Sequence, residues 1–389
     1  AKLLHESLYS DNCLVGFDSE DVAIQFCEIS QNIMALGNFK LTKFLSNNEA
    51  VMTSLPAECK QEDIITSLLG LEYNRSTDML KIKTPENIEP HCILTKRKVL
   101  QKIASIYDPL GNVGTLLLFG QKFLQKLWEN QNQNPTSKHW DSPLMQEQGI
   151  VFREYFQHII KIIDKFQFPR HLPFIQGKNL ILHAFSDASP SCALGMVIYA
   201  TQNNTNITLA FITGKFKLVS KKLNGTTPKL ELAAIVLSKR LVISILPALE
   251  NTYKITNIRI YSDSTIALSQ IAMGKSEDSF VQRRLQELSQ PINNIPVTFH
   301  YCNSELNVAD ELTKISAVPP KLSQRYTQGP EFLLNEQNWL PIFQSSENIN
   351  AIQCAIVTQK QSHNKLNVFM ELEERISTFN KLLRIISHC

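Results

Sequence analysis

The chain has 389 residues, of which 43% are hydrophobic and 19% charged. That balance excludes a wholly disordered chain and leaves room for two or three domains. With 39 basic against 36 acidic residues the net charge is +3, which permits nucleic-acid binding without demanding it.

A short apolar run opens the chain, followed by an amphipathic helix from about Ser19 to Leu36. Val22, Phe26, Ile29, Ile33 and Leu36 alternate at four- and three-residue spacing, which lines one helix face. Strand-like runs are expected near Lys40–Phe44 and Ala50–Met52. Residues 61–170 read as mostly helical. Thr95 caps a helix over 96–106, and Asp108-Pro109-Leu110-Gly111 is a turn, because Pro fixes φ and Gly tolerates positive φ. Further helices are expected over 115–130 and 146–165, with a polar loop over 130–141.

The character changes after Pro169 and Pro173. Residues 179–185, 193–200 and 207–217 are strand runs, which suggests an antiparallel meander. A helix over 228–245 has Pro228 in its first turn, where Pro is tolerated. A strand over 257–261, helices over 264–272 and 278–288, a strand over 297–301 and a closing helix over 308–315 follow. The order βββ-α-β-α-α-β-α predicts an α/β fold, a mixed five-stranded sheet flanked by helices. Residues 317–389 are less regular, with a helix expected over 370–386.

The eight cysteines form no C-x-x-C pair, which argues against a zinc ribbon or redox motif and fits reduced thiols in an intracellular protein. No signal peptide and no run of 18 consecutive apolar residues occurs, so no membrane span is expected. The chain does not begin with Met, and it is expected to be a fragment or a processed piece.

Four acidic residues stand where a charge is hard to explain structurally. Asp187 ends the first strand in F-S-D-A-S. Glu231 lies among apolar residues in P-K-L-E-L-A-A-I-V. Asp263 ends the fourth strand in I-Y-S-D-S-T, and Asp310 starts the last helix in N-V-A-D-E-L. Each has a plain alternative. Asp187 would suit a turn, Glu231 a solvated helix face, Asp263 a helix N-cap, and Asp310 a first-turn acid facing the helix dipole. Together, in this element order, they can converge at one edge of the sheet. Carboxylates so packed raise each other's pKa unless a cation neutralises them, and hard oxygen ligands suit Mg²⁺. Two such ions activate a water and stabilise the leaving oxygen of a phosphoryl displacement. His300, at the end of a strand, is a candidate for proton transfer or product release, or an ordinary strand-end histidine.

These motifs resemble the four carboxylate motifs of type 1 ribonuclease H domains. T-P-K-L-E-L, S-F-V-Q-R-R-L-Q-E-L and N-V-A-D-E-L-T are closest to the versions in BEL/Pao-type LTR retrotransposon polyproteins. T-K-R-K-V-L-Q-K-I-A-S-I-Y-D-P-L-G (95–111) resembles the landmark between polymerase and ribonuclease H there. F-K-L-T-K-F-L-S-N-N (39–48) and L-L-G-L-E-Y-N (68–74) resemble the end of a reverse transcriptase palm and the start of its thumb. G-P-E-F-L (329–333) and S-T-F-N-K-L-L-R-I (377–385) resemble the segment leading to an integrase.

The resemblance implies a palm remnant over 1–60, a thumb and connection over 61–170, a ribonuclease H domain over 171–318, and a linker toward an integrase over 319–389. It implies a metal-dependent endonuclease cutting the RNA strand of RNA–DNA hybrids. Asp187, Glu231, Asp263 and Asp310 would hold two Mg²⁺, with Mn²⁺ a substitute, and His300 would occupy the place of a loop histidine. Implied partners are the hybrid and the polymerase and integrase parts of the polyprotein, with no membrane. The implied setting is cytoplasmic, in a virus-like particle, or nuclear. Tyr9-Ser10-Asp11-Asn12 stands where Y-x-D-D would be, so no polymerase activity is expected. A decayed, nucleic-acid-binding remnant is the alternative reading. An aspartic peptidase is disfavoured, because neither Asp108-Pro109-Leu110 nor Asp263-Ser264-Thr265 matches D-[ST]-G. Lys215, Lys217, Lys221 and Lys222, with Phe211 and Phe216, form a basic stretch that would track phosphates or be a solvated strand edge.

Overall fold

The computed structural model describes residues 2–9, 12–17, 19–129, 139–219, 226–315 and 318–344. The helix expected over 370–386, Lys221, Lys222 and most of the loop over 130–141 lie outside the described residues. The described residues divide into two compact units, one holding residues up to 84 with 163–172, the other holding 85–162 with 173–344.

In the first unit, α1 (Lys2–Ser7) leads to a two-strand hairpin of β1 (Leu8–Tyr9) and β2 (Asn12–Cys13). The amphipathic helix appears as α2 (Glu20–Leu36). The strand expected at 50–52 is instead helix α3 (Glu49–Ser54). The Asn48 side chain accepts from the Ala50 and Val51 amides, and that cap starts a helix where the apolar pattern alone suggested a strand. No strand forms over 40–44; only an isolated bridge joins Phe44 to Lys60. The three helices expected within 61–170 form, and a sheet not expected there accompanies them. An antiparallel sheet orders β3 (Ile65–Leu68), β4 (Leu71–Asn74), β5 (Met79–Lys81) and β6 (Gln167–Pro169). Its first turn places Leu69 and Gly70 at φ 50° and 86°, a left-handed pair that the dipeptide Leu-Gly does not announce. Asp78 ties the last two strands, accepting from Arg170 Nε and Nη2 and from the Tyr73 hydroxyl.

The second unit begins with α4 (Lys96–Ala104), α5 (Gly114–Glu129) and α6 (Gln146–Ile163). Thr95 caps α4 as expected, through the Lys98 amide. Then come β7 (Asn179–Ala188), β8 (Ala193–Asn203) and β9 (Ile207–Leu218) as an antiparallel meander, and helix α7 (Thr227–Glu250). β10 (Lys254–Ser262), α8 (Thr265–Met273), α9 (Ser279–Ser289), β11 (Val297–Tyr301) and α10 (Gln324–Gln328) complete it. The sheet order is β11-β10-β7-β8-β9, with β10 parallel to both neighbours. This is the mixed five-stranded sheet expected from the element order. The closing helix is shorter than expected, a 3-10 turn over Val308–Leu312.

Each face of the sheet has its own core, because side chains alternate along a strand. Ala188 and Leu194 pack with Leu230, Ala233 and Ala234 of α7. α7 is long and apolar enough by length and composition to cross a membrane, but most of that apolar surface is buried within the unit. The opposite face holds Phe185, Tyr199, Tyr261, Leu312 and Tyr326.

Candidate metal centre

Strand register places the first two carboxylates. Phe185 on β7 sits beside Tyr261 on β10, and their rings stack at 4.5 Å between centroids. Asp187 lies two residues further along β7, on the same face as Phe185, and Asp263 directly follows the end of β10. The third carboxylate comes from α7, where burial of Leu230, Leu232 and Ala234 fixes the helix and leaves Glu231 pointing at the end of the sheet. One ligand oxygen from each of Asp187, Glu231 and Asp263 lies within 4.8 Å of the others.

Neither plain alternative for Asp187 or Asp263 describes its position. Ser264, not Asp263, caps α8, through the Ala267 amide. Asp187 is inside a strand and 2% exposed. Asp310, in the 3-10 turn, stands outside the three-carboxylate group and pairs with Lys314 four residues on. Its charge still acts on Asp187.

The burial is costly to ionised groups. Desolvation, then the charges of Asp187 and Asp263, push Glu231 up to about 9. Desolvation likewise pushes Asp187 up to about 6, with Asp263 and Asp310 adding to it and the Thr313 hydroxyl opposing it. Glu231 is 7% exposed, and its Oε2 has no hydrogen-bond partner. An unpartnered buried carboxylate oxygen facing two more carboxylates is what a divalent cation would satisfy. The donor set is all oxygen, which suits Mg²⁺ or Mn²⁺ better than zinc.

A pH dependence of stability follows. In the unfolded chain Glu231 releases its proton near its ordinary 4.5, while in the folded, metal-free chain it holds it to about 9. Over that window the folded state binds more protons, so stability falls as pH rises, by up to about 1 kcal/mol per unit. The metal-free protein should therefore melt lower at pH 8 than at pH 5.5. Glu231→Gln should flatten this slope, and Mg²⁺ should raise Tm more at pH 8 than at pH 5.5. Melting curves at the two pH values check this; equal slopes for both chains would contradict it.

His300 is not brought to the carboxylates. It is level with Tyr261 across β10 and β11, in the aromatic row beneath the acidic row. Its ring is fully buried, bonded to the Thr298 hydroxyl through Nε2 and to the Leu340 and Pro341 carbonyls through Nδ1. Burial, then the Arg259 charge, lower its pKa to about 4, so it is neutral at physiological pH. Lys215, of the basic stretch, is half-buried on β9, and burial lowers its pKa to about 7, with the Asp108 charge opposing this.

Several residues that build the site were not singled out in the sequence. Asn307 donates to the Ser186 carbonyl (3.0 Å) and caps the 3-10 turn, which pins that turn to the strand carrying Asp187. Ser304 donates to Asp263 (2.6 Å), and Thr313 donates to Asp187. Gly195, paired with Asp187, has no side chain because the turn lies directly on it. A Cβ there would meet Thr313 Cγ2 at 2.7 Å and the Ala309 carbonyl at 2.8 Å. Gly195→Val should push the turn off the sheet and destabilise the protein by about 2–3 kcal/mol. Chemical denaturation measures it, and an unchanged midpoint would contradict it.

Residues 95–264 match the Pao retrotransposon-like RNaseH-like domain family. This segment is similar to a Pao-type domain. It contains Asp187, Glu231 and Asp263; Asp310 and His300 lie beyond it. No curated protein matches the chain. Among solved structures, RNase H1 from the halophilic archaeon Halobacterium salinarum NRC-1 is similar at 9% identity, over 34% of this chain and 93% of that one, with a TM-score of 0.25. LC11-RNase H1 in complex with an RNA/DNA hybrid is 15% identical over 34% and 92%, with a TM-score of 0.23. The foamy viral protease-reverse transcriptase with an RNA/DNA hybrid is 14% identical over 70% of this chain and 33% of that one, with a TM-score of 0.31. The match to an RNaseH-like family model and the order of the mixed five-stranded sheet describe an RNase H-like fold.

Proposed function

We propose that this protein cleaves the RNA strand of RNA–DNA hybrids, with Asp187, Glu231, Asp263 and Asp310 holding divalent metal ions. The observation that carries the reading is the unpartnered, buried Glu231 oxygen within a carboxylate pocket that the Pao-type fold assembles. Bound Mg²⁺ would supply an activated water and neutralise charge on the phosphate. The chain's own residues supply position. Thr313 and Ser304 fix the rotamers of Asp187 and Asp263 by hydrogen bonds, and Asn307 fixes the turn that carries Asp310. His300 has no part in this reading, because its ring is sealed in the aromatic row.

Recognition of the hybrid rests on its shape and on 2′-OH contacts, so little sequence preference is expected. The test is cleavage of a doubly labelled RNA–DNA hybrid by the full chain in Mg²⁺. RNA-only products that disappear with EDTA support the reading. An uncut hybrid, in Mg²⁺ and in Mn²⁺, with a folded protein overturns it in favour of a decayed remnant.

A further inference from the structure

Three of the four carboxylates lean on one short stretch, residues 304–314. Two of the supports are neutral hydroxyls, Ser304 to Asp263 and Thr313 to Asp187. The third is a full positive charge. Lys314 Nζ donates to Asp310 Oδ1 across four residues of the chain. The pair is reached by solvent, the Lys314 side chain 51% exposed and that of Asp310 28%. The Lys314 charge reaches further than its partner. It also acts on Asp187 and Glu231, and in turn it feels Asp187 and Asp263. One ammonium therefore lies in the field of the whole acidic cluster. Asp310, its direct partner, is also the carboxylate that stands outside the compact group of Asp187, Glu231 and Asp263.

We infer that Lys314 is a built-in cation that holds Asp310 in place of a divalent ion. The metal-ready pocket is then the group of Asp187, Glu231 and Asp263, and a second divalent ion gains Asp310 only by displacing the Lys314 ammonium. This rests on the metal-centre reading above and adds an order of occupancy to it. An ammonium and a dication compete for one carboxylate, and the two cations repel each other at short range. The displacement is easy, because an exposed ion pair is worth about 1 kcal/mol or less and the lysine stem is flexible. A phosphate oxygen of the substrate offers the displaced ammonium a new partner, so the second position fills most readily with nucleic acid present.

Calorimetric titration of Mn²⁺ into the full chain, without nucleic acid, tests this. The wild type should bind one ion well and a second weakly. Lys314→Gln should tighten the second ion about tenfold, since the competing charge is gone. Lys314→Arg, which keeps the charge, should behave as the wild type, and Asp310→Asn should lose the second ion and keep the first. An unchanged second affinity in Lys314→Gln, with the first ion still bound, overturns the inference and leaves the metal pocket standing. A folded wild type that binds no Mn²⁺ at all overturns the metal pocket itself.

Discussion

Asp263→Asn is expected to slow RNA-strand cleavage about 1,000-fold or more while the protein stays folded, since each metal-held oxygen supports several kcal/mol of transition-state stabilisation. The amide has nearly the shape of the carboxylate and still offers an oxygen to the Ser304 hydroxyl, so the local hydrogen bond survives. What is lost is one negative charge out of the group that meets within 4.8 Å. Stability should move the other way. Asp263 is among the charges that push Glu231 up to about 9, so its neutralisation relieves the metal-free pocket above neutral pH. The variant is thus expected to melt higher than the wild type without metal at pH 8, and to gain less from Mg²⁺. Single-turnover cleavage and melting curves measure both. A rate within tenfold of the wild type would remove Asp263 from the catalytic set.

That opposition between stability and activity explains why the carboxylates could be read in the sequence at all. A charged residue flanked by Leu230 and Leu232 on a helix with a buried face conflicts with its surroundings unless something compensates, and one Glu231 oxygen has no hydrogen-bond partner. Strand period did the rest for Asp187 and Asp263. Both lie two residues beyond a stacked aromatic pair on parallel neighbouring strands, and their carboxylates meet. The same period shows why His300 falls short. It occupies the row of Phe185 and Tyr261, and only tertiary register separates a site row from a core row. Sequence spacing to Asp310 carries no such information.

Elsewhere the signal failed for reasons of local chemistry. Residues 50–52 are apolar enough for a strand, but the cap from Asn48 decides for a helix. The sheet of β3 to β6 closes with a strand more than eighty residues from its neighbour, as the pairing of Leu80 with Phe168 shows, and no short-range pattern encodes that. Lys215, read within a basic stretch, is half-buried on β9, where the charge of Asp108 acts on it.

That Asp108 opens the Asp108-Pro109-Leu110-Gly111 turn, and Gly111→Ala within it is expected to destabilise the second unit by about 3–5 kcal/mol. Asp108 accepts the Asn112 and Val113 amides, which shapes the turn. Leu110 then offers its carbonyl to the Gly214 amide (2.8 Å) and to the Thr213 hydroxyl (2.9 Å) on β9. The Tyr326 hydroxyl donates to the Gly111 carbonyl at 2.6 Å. The turn is therefore the joint between the helices of residues 96–129 and the edge of the sheet. Gly111 has φ +79°, and a Cβ on it would lie 1.7 Å from the Gly214 carbonyl oxygen. Both the backbone angle and the contact oppose a side chain, and the obstructing atom is backbone in a paired strand, which cannot rotate away. Gly149, inside α6, is the matched control, because a Cβ there meets nothing within 4 Å. Gly149→Ala should be neutral or stabilise by about 0.5–1 kcal/mol through helix propensity. Urea denaturation of the two variants separates the cases. A Gly111→Ala midpoint equal to that of Gly149→Ala would mean that the turn is not seated on β9 in solution. In that event the landmark motif would be a linker rather than the clamp that holds the carboxylate-bearing sheet against its helices.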